Sequence, residues 1–263
     1  MPRPILKLFG AIFALGCVLP GGRAEAYPNA VIFAPSGEAK AQGDVSVLMY
    51  TAYFGGSPLT WAGLNVGILP TFAYGGSGLS FGGMEVGLDV ISMAGLTPAN
   101  KPVFNAKAQL LQESGLVPSV ALGLANLAFS AMDTSLSATY AVATKTLSWS
   151  EIPLGRITLG GGLALAGSPA AFRATLPFSG PSQGFLMGGY ESPAWGPLYA
   201  AVDHIGGVSE LGSTNVGLNV LLNPGTYLGL GYTMGNDRSL DPADAVYLYL
   251  SSAWSMFGQQ GGR

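Results

Sequence analysis

One pattern recurs along the chain. Short runs place a large apolar residue at every second position, with small or polar residues between. Met84, Val86, Leu88 and Val90 alternate with Gly83, Glu85, Gly87 and Asp89. Ile157, Leu159 and Leu163 alternate with Arg156, Thr158 and Gly162, and Val216, Leu218 and Val220 with Asn215, Gly217 and Asn219. Period two belongs to a strand with two different faces. After residue 26, Gly, Pro or a polar residue interrupts every apolar run well short of the roughly 18 residues that signal a membrane helix. Yet only 10% of residues are Asp, Glu, Lys or Arg, against about 25% in a typical soluble domain. A transmembrane β-barrel reconciles the two facts, because each strand needs only about 9–11 residues and one apolar face. A secreted β-sandwich shares the alternation but would carry many charges on its solvent face. Here that second face is largely Gly, Ala, Ser, Thr and Asn.

Eight clear segments lie between residues 63 and 233, and weaker ones cover 44–54, 185–191, 197–205 and 245–254. The fold class is therefore all-β, an antiparallel up-and-down transmembrane barrel of about twelve strands over residues 44–257, with a tail at 258–263. Counting from the first strand, connections after even-numbered strands (75–78, 113–116, 147–154, 192–196 and 223–226) are mostly tight and rich in turn residues. Those after odd-numbered strands include the longest, 166–184. Short turns on one side and longer loops on the other are the outer-membrane pattern, which predicts that both ends of the chain lie on the periplasmic side. Aromatics cluster near strand ends, with Tyr53, Phe54 and Trp61 at the outer rim and Phe72, Tyr74, Trp149, Trp195 and Trp254 at the inner one. The second row of most strands is Gly-rich, which predicts an interior with space for water.

The N-terminus reads as an export signal. Arg3 and Lys7 precede a short apolar stretch, Leu8 to Leu19, and Ala24-Glu25-Ala26 supplies a cleavage pattern. Residues 1–26 are the expected signal peptide. Cys17 lies near a lipobox that lacks its Leu, so lipidation there is the minor alternative. Residues 27–43, with Pro28, Pro35 and Gly37, are expected either as a periplasmic segment or as a plug inside the barrel.

Phe104-Asn105-Ala106-Lys107-Ala108-Gln109-Leu110-Leu111-Gln112-Glu113 resembles the N-x-K-Y-R-L-L-x-E strand of YjbH-type outer-membrane barrels. Val117-Pro118-Ser119-Val120-Ala121-Leu122-Gly123-Leu124 is similar to the next strand of that family, and Thr139 to Lys145 to its Y-x-V-x-S-K strand. The resemblance covers about residues 104–162. Where the family has a D-x-G-G-T-G turn, this chain has Asn126-Leu127-Ala128-Phe129, and it is as long as one barrel unit only. The resemblance implies a small outer-membrane barrel and, through the family, an association with exopolysaccharide export. It brings no catalytic residues.

Charged residues on the interior row are the candidate site: Glu85, Asp89, Lys107, Glu113, Arg156 and Asp203. Glu85 and Asp89 lie on the strand that pairs with that of Lys107, where opposite charges meet across a ladder. Such charges either brace a narrow lumen or form a constriction that selects solutes by charge. His204, the only histidine, falls on the lipid-facing row. A symmetric 206–212 hairpin would set it opposite Thr214, while Asp203 points the other way, so a lipid-hydrolysing Ser–His pair finds little support. Neither a catalytic set nor a metal or cofactor site is expected. The acidic balance, net charge −3, argues against nucleic acid.

The function classes that remain are a pore or transport-associated channel, a structural or assembly barrel linked to exopolysaccharide export, and, least favoured, a lipid-acting hydrolase. Expected partners are outer-membrane lipids and lipopolysaccharide, with small solutes or polysaccharide-export components according to the class. Mass spectrometry of the exported protein should find Tyr27 as the first residue; a diacylated Cys17 would replace this reading with a lipoprotein.

Overall fold

The computed structural model describes residues 30–54, 57–93, 101–128, 137–165, 184–207, 212–236 and 244–256. The signal region, the tail at 258–263 and most of the longer loops lie outside the described residues. The strands are β1 (Asp44–Phe54), β2 (Ser57–Leu69), β3 (Phe72–Ala73), β4 (Ser80–Phe81) and β5 (Gly83–Met93). Next come β6 (Lys101–Leu111), β7 (Ser119–Ala128), β8 (Ala138–Trp149), β9 (Ile152–Ala164) and β10 (Gly184–Glu191). The last are β11 (Leu198–Ile205), β12 (Ser213–Asn223), β13 (Thr226–Gly235) and β14 (Asp244–Ser255).

Twelve of these close into one antiparallel barrel in which each strand pairs with its neighbour in sequence and β14 pairs with β1. The closing ladder runs without interruption from Asp44 opposite Ser255 to Phe54 opposite Ala245. Closure leaves no free sheet edge, the condition for β-structure in hydrocarbon. The pair β3–β4 is a separate two-stranded ribbon. It folds back the β2–β5 connection, residues 70–82, which is longer than the four-residue turn expected at 75–78. Phe72 stacks on Phe81 at 4.7 Å and meets Tyr74 edge-on. The β8–β9 connection is tighter than expected. Ser150 and Glu151 alone form it, both at positive φ, as a two-residue hairpin turn of the primed type requires.

The polarity of the wall is inverted relative to a soluble protein. Leu122, Leu159, Leu163, Leu186, Leu218 and Leu230 are exposed on the outside, while Asn215, Asn219, Thr144, Thr158 and Asp203 are among the most buried side chains. Leaving this many leucines in water would forfeit about 25 cal/mol per Å2 of apolar surface. An apolar belt around a polar interior belongs to a barrel immersed in lipid.

Most of the interior is filled, and the glycines account for little of the space that remains. Tyr140 of β8 stands between Gly123 of β7 and Gly162 of β9 in direct register. Tyr247 lies over Gly231 and Gly217, and Tyr249 over Gly229. Gly123, Gly229 and Gly231 make room for a ring from the adjoining strand, Gly162 for that of Phe185 and Gly217 for Tyr247 reaching across from two strands away, so these small positions are sockets and not voids. On β8 the larger row, Ala138, Tyr140 and Val142, is therefore the inner one, opposite to the lipid-facing side that the alternation predicts for large residues. Ala138 and Val142 are buried inside, Tyr140 packs with them, and the small Ala141 faces out. Trp61 is also corrected: it packs inward against the cluster of Tyr50, Tyr227, Tyr247 and Tyr249 and does not belong to the outer girdle. Tyr53, Trp149 and Trp195 are exposed at the barrel ends.

Leu122→Arg and Leu218→Arg should each destabilise the barrel by about 2–4 kcal/mol where they reach the bilayer midplane, measured by denaturant unfolding in vesicles. Gly123→Ser, harmless in an empty lumen, should also cost stability because the Tyr140 ring occupies its socket. An unchanged unfolding midpoint for Gly123→Ser would contradict the socket arrangement.

Candidate functional site

Residues 30–43 precede β1 and run through the lumen. An irregular segment in that position must satisfy its backbone groups from the wall around it, and it does. The Asp203 carboxylate on β11 accepts hydrogen bonds from the N–H groups of Ile32, Phe33 and Ala34 at 2.8, 2.6 and 2.8 Å. Thr144 of β8 accepts from Gly37 N–H at 2.8 Å, and Ser119 of β7 donates to the Gly37 carbonyl at 2.6 Å. Gln109 of β6 accepts from Ala39 at 3.0 Å and Glu85 of β5 from Lys40 N–H at 2.8 Å. Six wall strands therefore hold the segment, counting β9, whose Arg156 pairs with Glu38 at 2.8 Å. Val31 and Ala34 are fully buried between them.

Five of the six charged candidates lie in this interior. Glu85 and Lys107 stand directly opposite each other on β5 and β6 with 3.4 Å between their charged atoms, and Lys107 also reaches the Ser36 carbonyl. Asp89 accepts a hydrogen bond from Asn105. Arg156 bridges Glu38 of the segment and Glu191 of β10, the latter at 3.4 Å. Asp203 is 1% exposed and takes a fourth hydrogen bond, from Asn215, at 2.8 Å. Glu85, Lys107 and Arg156 thus stand beside opposite charges and Asp203 has four donors, whereas Asp89 has a hydrogen bond but no ion pair among the described residues.

Glu113 is elsewhere. A bulge between Gln109 and Leu111 breaks the strand parity, and Glu113 lies beyond the end of β6 at the rim. There it pairs with Lys145, on the outward row of β8, at 2.7 Å and accepts from Thr146. Partial burial works against its charge. The hydrogen bonds from Lys145 and Thr146 outweigh that effect and hold its carboxyl below the usual range. His204 faces outward and touches Thr214 at 2.9 Å, as the hairpin register required. Ser209, the serine nearest to it in sequence, lies outside the described residues.

Several participants were missed in the sequence. Glu191 sits at the last position of its strand, yet it pairs in register with Arg156, so the β9–β10 alignment was the signal that would have found it. Thr144, Gln109 and Asn215 are common interior residues whose role depends on the course of residues 30–43. Tyr50, Tyr247 and Tyr249 came from segments with weak alternation.

No protein-family model matches the chain, and no curated protein does. Among solved structures, CdiB from Acinetobacter baumannii matches with a TM-score of 0.38 and 9% identity over 80% of this chain. The chain spans 60% of the length of that protein.

Asp203→Ala leaves three backbone N–H groups without their acceptor, at about 1–3 kcal/mol for each buried group left unsatisfied. Hydrogen exchange at residues 32–34 should speed up at least tenfold while the β12–β13 ladder keeps its protection. Unchanged exchange at 32–34 would show that packing, and not Asp203, holds the segment.

Proposed function

We propose that this chain is a bacterial outer-membrane barrel of the transport-associated kind, whose lumen is closed at rest by its own residues 30–43. The observation that carries the reading is the hold of Asp203 on three successive backbone N–H groups of that segment. The segment is kept in place by hydrogen bonds and one close ion pair from many strands, an attachment that a competing ligand or partner can exchange group by group. The inverted polarity, the closed antiparallel barrel and the reading of residues 1–26 as an export signal support an outer-membrane location. Its neighbours there are the membrane lipids and lipopolysaccharide. The residues that reach the interior supply charge selection and not catalysis. Once the segment moves away, Glu85, Asp89, Glu191 and Asp203 outnumber Lys107 and Arg156 on the deep wall, which favours cations.

The filled lumen favours a second reading, a structural or assembly barrel. The likeness of residues 104–162 to YjbH-type barrels would connect it with exopolysaccharide export.

Planar-bilayer recording separates the two. The intact mature chain should show no steady conductance, and a chain lacking residues 30–40 should give persistent, cation-preferring steps. Lys107→Glu in the shortened chain should increase that preference. A shortened chain that stays heat-modifiable on gels yet conducts nothing would favour the structural barrel.

A further inference from the structure

A cavity of about 320 Å3 remains in the lumen beside the segment. Phe33, Leu59, Trp61, Phe185 and Met187 give it apolar and aromatic walls, and Asp89, Asn105 and Asn126 give it a polar side. The polar side is built by a break in the wall. Phe104 pairs with Leu127 but Ala106 pairs with Leu124, so Ala125 and Asn126 together stand opposite Asn105. Asn126 takes the left-handed conformation, φ +55°, that such a bulge demands. Its N–H donates to Asn105 Oδ1 at 2.8 Å, and Asn105 Nδ2 donates in turn to Asp89. The chain of hydrogen bonds ties the Asp89 and Asn105 side chains to the Asn126 backbone across β5, β6 and β7.

Three buried atoms on this cavity lack a hydrogen-bond partner among the described residues, Trp61 Nε1, Asn126 Oδ1 and Thr233 Oγ1. Asn126 is 6% exposed, and its side-chain oxygen is buried with no hydrogen-bond partner. Asp89, also 6% exposed, is paired with no cation among the described residues, unlike Glu85, Glu113 and Glu191. A buried acceptor without a donor costs about 1–3 kcal/mol, and strain at a non-glycine residue tends to mark functional sites. The Asn126 oxygen calls for a donor and the Asp89 carboxylate for a positive charge, while the Trp61 indole N–H on the same cavity is open to an acceptor. The aromatic walls suit the same ligand, since the faces of Trp and Tyr attract cations.

We infer that the lumen cavity is a binding site for a small organic cation, a primary ammonium group on an apolar body, with Asp89 and Asn126 receiving the ammonium and Phe33, Leu59, Trp61 and Phe185 enclosing the rest. The inference names a substrate class for the transport reading above and rests on residues 30–43 lying in the lumen, where Phe33 forms part of the cavity wall. The ammonium replaces lost hydration with a carboxylate, an amide oxygen and ring faces. Lys40 and Lys107 also line the cavity but lie beside Glu85, so the charge that lacks an ion pair is that of Asp89, which repels a carboxylate of the same size.

Isothermal titration of the detergent-folded mature chain with 2-phenylethylammonium and with 3-phenylpropionate tests the site. The cation should bind at least tenfold more tightly than the anion. Asp89→Asn should lose at least tenfold of that affinity, and Ala138→Phe, which fills the cavity from β8, should abolish binding. Heat-modifiability on gels certifies that each variant is folded. Equal binding of cation and anion, or an Asp89→Asn variant that binds as tightly as the parent, overturns the inference. Conductance judges the transport reading separately. A silent shortened chain removes that reading while cation binding to the intact chain stands, and an opening chain with no cation binding removes the site alone.

Discussion

The contact of the Asp203 carboxylate with the N–H groups of residues 32–34 organises the inside of this barrel. A carboxylate that is 1% exposed must be compensated, and no lysine or arginine among the described residues is paired with it. Backbone amides do the work instead. They carry no charge and are fixed in direction by the chain, so the arrangement stabilises a position as well as a charge. The segment needs the wall to satisfy its amides, and the wall needs the segment to satisfy Asp203, Glu85 and Gln109. Neither is complete without the other.

The architecture was legible because period two is a local property. A strand that meets lipid on one side and polar groups on the other repeats that contrast at every step. The twelve strands and the outward placement of Leu64, Leu122, Leu218 and Leu230 follow from it. So does the burial of Glu85, Asp89, Lys107, Arg156 and Asp203. The failures occurred where a neighbouring strand or a bulge decides the outcome. Tyr140 has the size expected of a lipid-facing residue, and only Gly123 on the flanking strand shows where its ring goes. Trp61 reads as an interfacial aromatic until the Tyr50 cluster is in place. Glu113 falls on the interior row only if parity persists through Leu111, and a bulge ends it there.

The site was half legible for the same reason. Pairing of Glu85 with Lys107 needs only the register of two adjacent strands. The network of Asp89, Asn105 and Asn126 depends on a bulge that no composition signal announces, because asparagine in the sequence gives no sign of its backbone conformation. The course of residues 30–43 was open between two alternatives. It is determined by hydrogen bonds to six strands scattered from β5 to β11, a property of the assembled whole.

The seam between β1 and β14 has a consequence for how such a chain is built. The segment that fills the lumen leads straight into β1, and the seam joins β1 to the last strand. Asp203 and the amides that it holds are separated by about 170 residues of chain. Contacts between residues so distant in sequence form late and slowly. The first described residues therefore cannot be locked in until nearly all of the wall has been made, and the wall seals over them when β14 arrives. Folding resembles wrapping a sheet around a core that is attached to its leading edge, so a delay in the arrival of the C-terminal strand leaves both the edge and the core unprotected together.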